Sequence, residues 1–200
     1  MVRDPEHAEK VFFSQQNEND EWTHMPYWEG DVRWNGCGMI ALTMCVDMLT
    51  DKDLTPVDVM KIRADAGLDQ SHVIEMGGKS VCGGDVHPQF NDINAELFGI
   101  KSLTMERTVD AFREMLARPD TVIWASTRGY DLHDTNGEKY HRAEDAGHVV
   151  AIWKYEDGIF YFKDCHYPTP ELGNNVPYTE EELAEYLASW KYQHYGITLV

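Results

Sequence analysis

The chain has no apolar run able to cross a bilayer. Its longest, residues 149–153 and 159–162, fall far short of the ~20 residues a span needs. The opening MVRDPEHAEK has no apolar stretch that could serve as a signal peptide. A cytoplasmic home is the expectation from that opening, with secretion the alternative if a leader preceded it. Positive charge is also short: Lys and Arg total 17 against 35 Asp and Glu, a formal net charge of −18. Such a surface repels phosphate backbones and anionic headgroups, so neither nucleic acid nor a membrane is an expected partner. A basic or neutral peptide-like substrate is easier to accept, although acidity also serves solubility alone.

Cysteine is scarce. Cys37, Cys45, Cys82 and Cys165 include no C-x-x-C pair, which argues against structural zinc. They are too few for a disulfide scaffold at this length. Cys37 and Cys45 fall on one predicted helix, more than two turns apart, and cannot bridge there. Mostly free thiols are expected. Repeats and low-complexity tracts are absent. What remains is 42% apolar and 12% aromatic residues in 200, enough for one sizeable core. The expectation is a single domain, residues 1–200.

The first ~35 residues read as an ordered loop region holding Trp22, Tyr27, Trp28 and Trp34, with one short strand at residues 11–13. From Cys37, Ile40, Ala41, Met44, Cys45, Met48 and Leu49 recur at helical spacing, a buried stripe. A second helix opens at Thr55-Pro56 and ends at Gly67. Residues 77–84 are glycine-rich and read as loop. Residues 88–98 and 104–117 read as helices. After Pro119 the period changes. Residues 121–126, 149–153 and 159–163 read as strands, the last two joined by a turn ending in Asp157-Gly158. Thr179 and Glu182 form a capping box for a helix to residue 189, and residues 196–200 can close the sheet. Helices first and antiparallel strands second make an α+β protein, the helical part packed on a C-terminal sheet.

Cys37 stands between Gly36 and Gly38 where loop becomes helix. A thiol there feels the positive end of the helix dipole, which favours the thiolate, and the glycines let a substrate backbone approach. The plainer alternative is a small core residue like Cys45. His148 opens a strand after Gly147 and can serve as general base. Asp164 ends the partner strand, and counting back through the turn brings it near the level of His148. A carboxylate there orients an imidazole. An acyl-transfer site also needs a donor for the oxyanion beyond the Cys37 N–H. Gln15 or Gln16 can fold over the helix start, and composition does not choose between them.

The stretches SQQNENDEW, RWNGCGMIALTMCVDML and AGHVVAIWKYEDGIFYFKDC together resemble the C39-like cysteine peptidases of the papain-like superfamily. The resemblance spans roughly residues 11–200. It implies a papain-like fold and a Cys37 nucleophile, with His148 as base and Asp164 as orienting acid. Gln15 would be the oxyanion donor. It implies a peptide or protein substrate and no cofactor. The chain departs from the pattern in having Met39, and Cys165 after the acid, where proline is usual. Residues 129–147 have no counterpart. This insertion holds Asp131, His133, Asp134, His141, Glu144 and Asp145 at spacings that match no zinc motif, so no metal is expected. It reads as a mobile, solvated lid beside the catalytic His. The same machinery also serves transamidation, deamidation and acyl transfer, or a domain that has lost catalysis and only binds.

Overall fold

The apolar run after Gly36 forms the central helix, and the other elements are arranged around it. The structure, a computed structural model, describes residues 2–27, 30–50, 52–67, 73–76, 79–82, 91–128, 131–140, 147–189 and 194–200. Short helices α1 (Pro5–Lys10) and α2 (Val32–Asn35) precede the long α3 (Cys37–Thr50). A minimal hairpin of β1 (Pro26–Tyr27) and β2 (Gly30–Asp31) leads into α2. Helix α4 (Pro56–Asp65) has Thr55 and Asp58 in a reciprocal capping box and ends before Gly67 at φ 77°.

A stripe was expected on α3, but the helix is buried all round from residue 39 to residue 49. Helices α1, α2 and α4 cover the face turned away from the sheet. The strand expected at residues 11–13 does not form. Helix α1 precedes it, and these apolar residues are held by side-chain packing rather than a ladder. Val11 is buried, and Phe12 and Phe13 pack on the same core.

The main sheet has six antiparallel strands. In spatial order they are β5 (Ile100–Thr104), β10 (His194–Leu199), β6 (Thr121–Arg128), β7 (Gly147–Glu156), β8 (Ile159–Lys163) and β9 (Val176–Thr179). The last strand therefore lies inside the sheet, between β5 and β6, and does not close an edge. The helix expected from residue 104 is shorter. Residues 100–104 pair with β10, and α6 (Val109–Ala117) starts only after its Thr108 cap. A separate hairpin of β3 (Val73–Met76) and β4 (Lys79–Cys82) occupies part of the expected glycine loop. Helices α5 (Asn91–Phe98), α7 (Pro170–Gly173) and α8 (Glu180–Ser189) complete the fold.

Strand alternation divides the core in two. Val122, Trp124, Val149, Ala151, Tyr195 and Ile197 face α3. Ile123, Ala125, Val150, Ile152, Phe160 and Phe162 face α6 and α8 on the other side. The protein is thus an α+β fold, as expected, but with helices on both faces of the sheet. The β7–β8 hairpin sets the register that matters most. Asp157 at φ 49° and Gly158 at φ 84° make a two-residue loop that pairs Glu156 with Ile159, and a bulge between Ile152 and Lys154 then shifts the register so that Ala151 pairs with Lys163. Asp164 and Cys165 then leave β8 beside the start of β7.

Candidate active site

His148 enters the sheet on β7 opposite Thr127, and the hairpin register brings Asp164 to it. His148 Nε2 donates to Asp164 Oδ1 at 2.6 Å, and both side chains are buried. With a carboxylate accepting from Nε2, the neutral ring carries its proton there, and Nδ1 bears the basic lone pair. The same Oδ1 accepts from the His166 backbone N–H at 2.9 Å. The other oxygen, Oδ2, accepts from the Tyr140 hydroxyl at 3.1 Å. Burial pushes the Asp164 carboxyl up, but the His148 charge and hydrogen bond and the His166 N–H outweigh it. The group is held below the ordinary carboxylate range.

The start of α3 is pinned against the same strands. Trp124 Nε1 on β6 donates to the Gly38 carbonyl at 3.1 Å. A Cβ built on Gly38 would lie 3.5 Å from the Trp124 ring and 3.8 Å from Val149 Cγ2, so the first turn of α3 rides directly on β6 and β7. Cys37, the first residue of that turn, is half-buried, while Cys45 and Cys165 are buried. Burial also pushes the Cys45 thiol up, which keeps it protonated and inert. Of the three cysteines whose exposure is described, Cys37 is the one that is not fully buried.

Cys165 joins these parts. Its Sγ donates to Gln15 Oε1 at 3.2 Å and lies 3.9 Å from the Cys37 carbonyl oxygen and 3.8 Å from that of Val149. The Gln15 backbone N–H donates to the Cys165 carbonyl at 2.8 Å. Gln15 is buried, and its Nε2 donates to the Arg33 carbonyl at 2.8 Å. That uses one of its two amide hydrogens. The Cys165 thiol and the Arg33 carbonyl together fix which way the amide points. Gln16 instead exchanges hydrogen bonds with Arg33 through both ends of its amide. Cys165 thus lies beside the Gln15 amide, the backbone carbonyl of Cys37 and the His148–Asp164 pair.

Donor atoms of His148, Asp164 and Cys165 all lie within 4.8 Å of one another. Tetrahedral ligands at ~2.1 Å from a zinc ion stand ~3.4 Å apart. The 2.6 Å between His148 and Asp164 is that of a hydrogen bond. A second such group, His7, Asp47 and Asp53, lies toward the other end of α3. There His7 and the Leu54 N–H already engage Asp47.

The insertion differs from expectation. Residues 131–140 form a tight, well-bonded loop with Leu132 fully buried in the second core. His133 pairs with Lys139, and Asp134 Oδ1 accepts from the Asn136 and Glu138 N–H groups. The His133 N–H donates to the Tyr178 hydroxyl, and the Thr135 N–H to the Leu172 carbonyl. This part is a packed structural element rather than a solvated lid. His141, Glu144 and Asp145 lie outside the described residues. Of the aromatics before α3, Tyr27 is buried and Trp22 packs edge-on to Phe13. Trp34 is exposed, and Trp28 lies outside the described residues. Sequence reasoning missed the parts played by Cys165 and Tyr140. The cysteine in place of proline was a visible signal for the first, and nothing local marked the second.

No protein-family model matches the chain, and no curated protein matches it. Among solved structures, the fold is similar to that of a Bacillus anthracis protein provisionally described as a C39-like peptidase. The TM-score is 0.53 at 13% identity, covering 96% of each chain. At that identity the likeness is one of fold, extending over nearly the whole of both chains.

Proposed function

We propose that this protein is a cysteine peptidase or related amide hydrolase, built as one papain-like domain over its 200 residues. The buried 2.6 Å bond between His148 and Asp164, beside the head of α3, is the observation that carries the reading. The reaction then follows from the named atoms. His148 Nδ1 takes the proton of the Cys37 thiol, and Asp164 stabilises the imidazolium through Nε2–H. The thiolate attacks the substrate carbonyl carbon, and the oxyanion is met by the Cys37 N–H and the Gln15 amide. Collapse breaks the C–N bond as the imidazolium returns its proton to the departing amine, leaving a thioester on Cys37. A water molecule, deprotonated by His148, attacks the thioester carbonyl. The acid is released as the C–S bond breaks, and the expelled Cys37 thiolate takes the proton back from the imidazolium.

The acceptor in the second half is set by access and not by the fold, so an amine in place of water gives transamidation. A peptide library incubated with and without added amines separates the two outcomes by product mass. Cys37→Ala should process none of it while keeping its thermal melt. Undiminished turnover by that variant would remove Cys37 from the mechanism.

A further inference from the structure

The segment at residues 129–147 is extra to the pattern the catalytic residues follow, yet its described part ends on the catalytic acid. Tyr140 is held from several sides. Its N–H donates to the Leu132 carbonyl at 3.1 Å, closing the loop on the buried Leu132. Its ring stacks on His166 at 4.1 Å and stands edge-on to Tyr167 at 5.3 Å. His166 in turn stands edge-on to His148 at 6.0 Å. From this position the Tyr140 hydroxyl reaches Asp164 Oδ2 at 3.1 Å.

We propose that Tyr140 is a positioning residue for the Cys37–His148–Asp164 set, and that the insertion braces Asp164 through the phenol. This rests on reading Asp164 as the orienting acid. A carboxylate bonded only through Oδ1 can swing about that contact. A donor on Oδ2 fixes its plane and so fixes the imidazole it holds. It also gives the second buried oxygen a partner, without which ionisation is costly. His148 faces the carboxylate from β7. His166, Tyr167 and Cys165 face it from the stretch after β8, and Tyr140 from the insertion. Burial, then Asp164 and Asp134, push the Tyr167 phenol up, so it stays neutral through the assay range. Lys163 precedes Asp164, but its ammonium is turned to Asn174 and Glu9.

The test uses the intact protein and iodoacetamide, which reads thiolate and needs no substrate. Cys37 alkylation is followed by peptide mass spectrometry from pH 5 to 10 in the parent, Tyr140→Phe and His148→Ala. Tyr140→Phe keeps the ring on His166 and loses only the hydroxyl. It should alkylate about tenfold more slowly than the parent near pH 6 and converge with it above pH 9, because the ion pair is weakened. In an Asp164→Asn background the same change should add nothing. Coincident profiles for parent and Tyr140→Phe, or one slowed by the same factor at every pH, would overturn the proposal while leaving the triad standing. A parent profile matching His148→Ala would overturn the triad itself. Should Tyr140→Phe lose its cooperative melt, Tyr140→His supplies a stacked ring with an N–H donor. Parental reactivity near pH 6 then supports the brace, and a slowdown independent of pH refutes it.

Discussion

A methyl group at Gly173 should disturb the candidate site without touching any side chain in it. Gly173 ends α7, and its carbonyl accepts from the Asp164 N–H at 2.8 Å. A Cβ added there would lie 2.5 Å from the Asp164 carbonyl oxygen and 2.8 Å from Phe12 Cζ. A carbon–oxygen contact ordinarily needs ~3.3 Å, so about 0.8 Å must be found. The Phe12 ring, itself packed on the α3 core, closes the other side. The backbone of Asp164 therefore gives way. A displacement of that size would stretch the 2.6 Å bond to His148 to as much as about 3.4 Å, the weak end of the hydrogen-bond range. Overpacking of this kind costs about 1–3 kcal/mol, or about 2–12 °C in Tm for a chain this long. A misplacement near 1 Å costs up to ~100-fold in catalysis. Gly173→Ala is checked by thermal melting and by Cys37 alkylation at pH 6, with both expected to fall. An unshifted melt together with parental Cys37 reactivity would refute the argument.

Other expected outcomes follow from the same contacts. Lys163 is fully buried, its Nζ donating to Asn174 Oδ1 at 2.5 Å and Glu9 O at 3.3 Å beside the Trp153 ring. Burial pushes its ammonium down to about 7. The unfolded chain holds more protons than the folded one from there up to the ordinary lysine range. The penalty is therefore full below about pH 7, and stability recovers as pH rises, by up to about 5 kcal/mol. Lys163→Met should flatten that rise in urea-melt midpoints between pH 7 and 10; an unchanged slope would assign the titration elsewhere. Gln15→Ala should lower kcat on a library-selected peptide by ~100-fold with little change in KM, and a loss confined to KM would make it a binding residue. Cys165→Ser keeps a donor for Gln15 and should retain most activity. Cys165→Ala leaves the Gln15 oxygen without it and should lose more, and equal activity in the two would count against orientation by the thiol.

The parts of the fold legible in the sequence were those fixed by short-range chemistry. The Thr55-Pro56 start, the capping box at Thr179 and the Asp-Gly turn marked α4, α8 and the β7–β8 hairpin, because the groups that set them lie within a few residues. That hairpin alone brought Asp164 to His148. Long-range pairing was not legible. Strand β10 goes between β5 and β6, partners distant from it in sequence, and β9 has only four residues to announce it. The strand expected at residues 11–13 is absent, because apolar side chains alone carry no record of whether a ladder partner exists. In the site, the amides of Gln15 and Gln16 both donate to the Arg33 carbonyl and differ in what their oxygens accept from, the Cys165 thiol for Gln15 and the Arg33 guanidinium for Gln16, contacts that lie far apart in sequence. The loop at residues 131–140 is rich in charge and read as solvated, yet Asp134 spends its carboxylate on backbone N–H groups and Leu132 anchors in the core.

The sharpest trial of the account is site-resolved labelling by a thiol-reactive peptide electrophile at pH 6.5, comparing the parent with His148→Ala. The account predicts that Cys37 in the parent reacts far ahead of Cys45, Cys82 and Cys165, and that the advantage disappears when the imidazole is removed. Equal labelling of Cys37 in both proteins would contradict it.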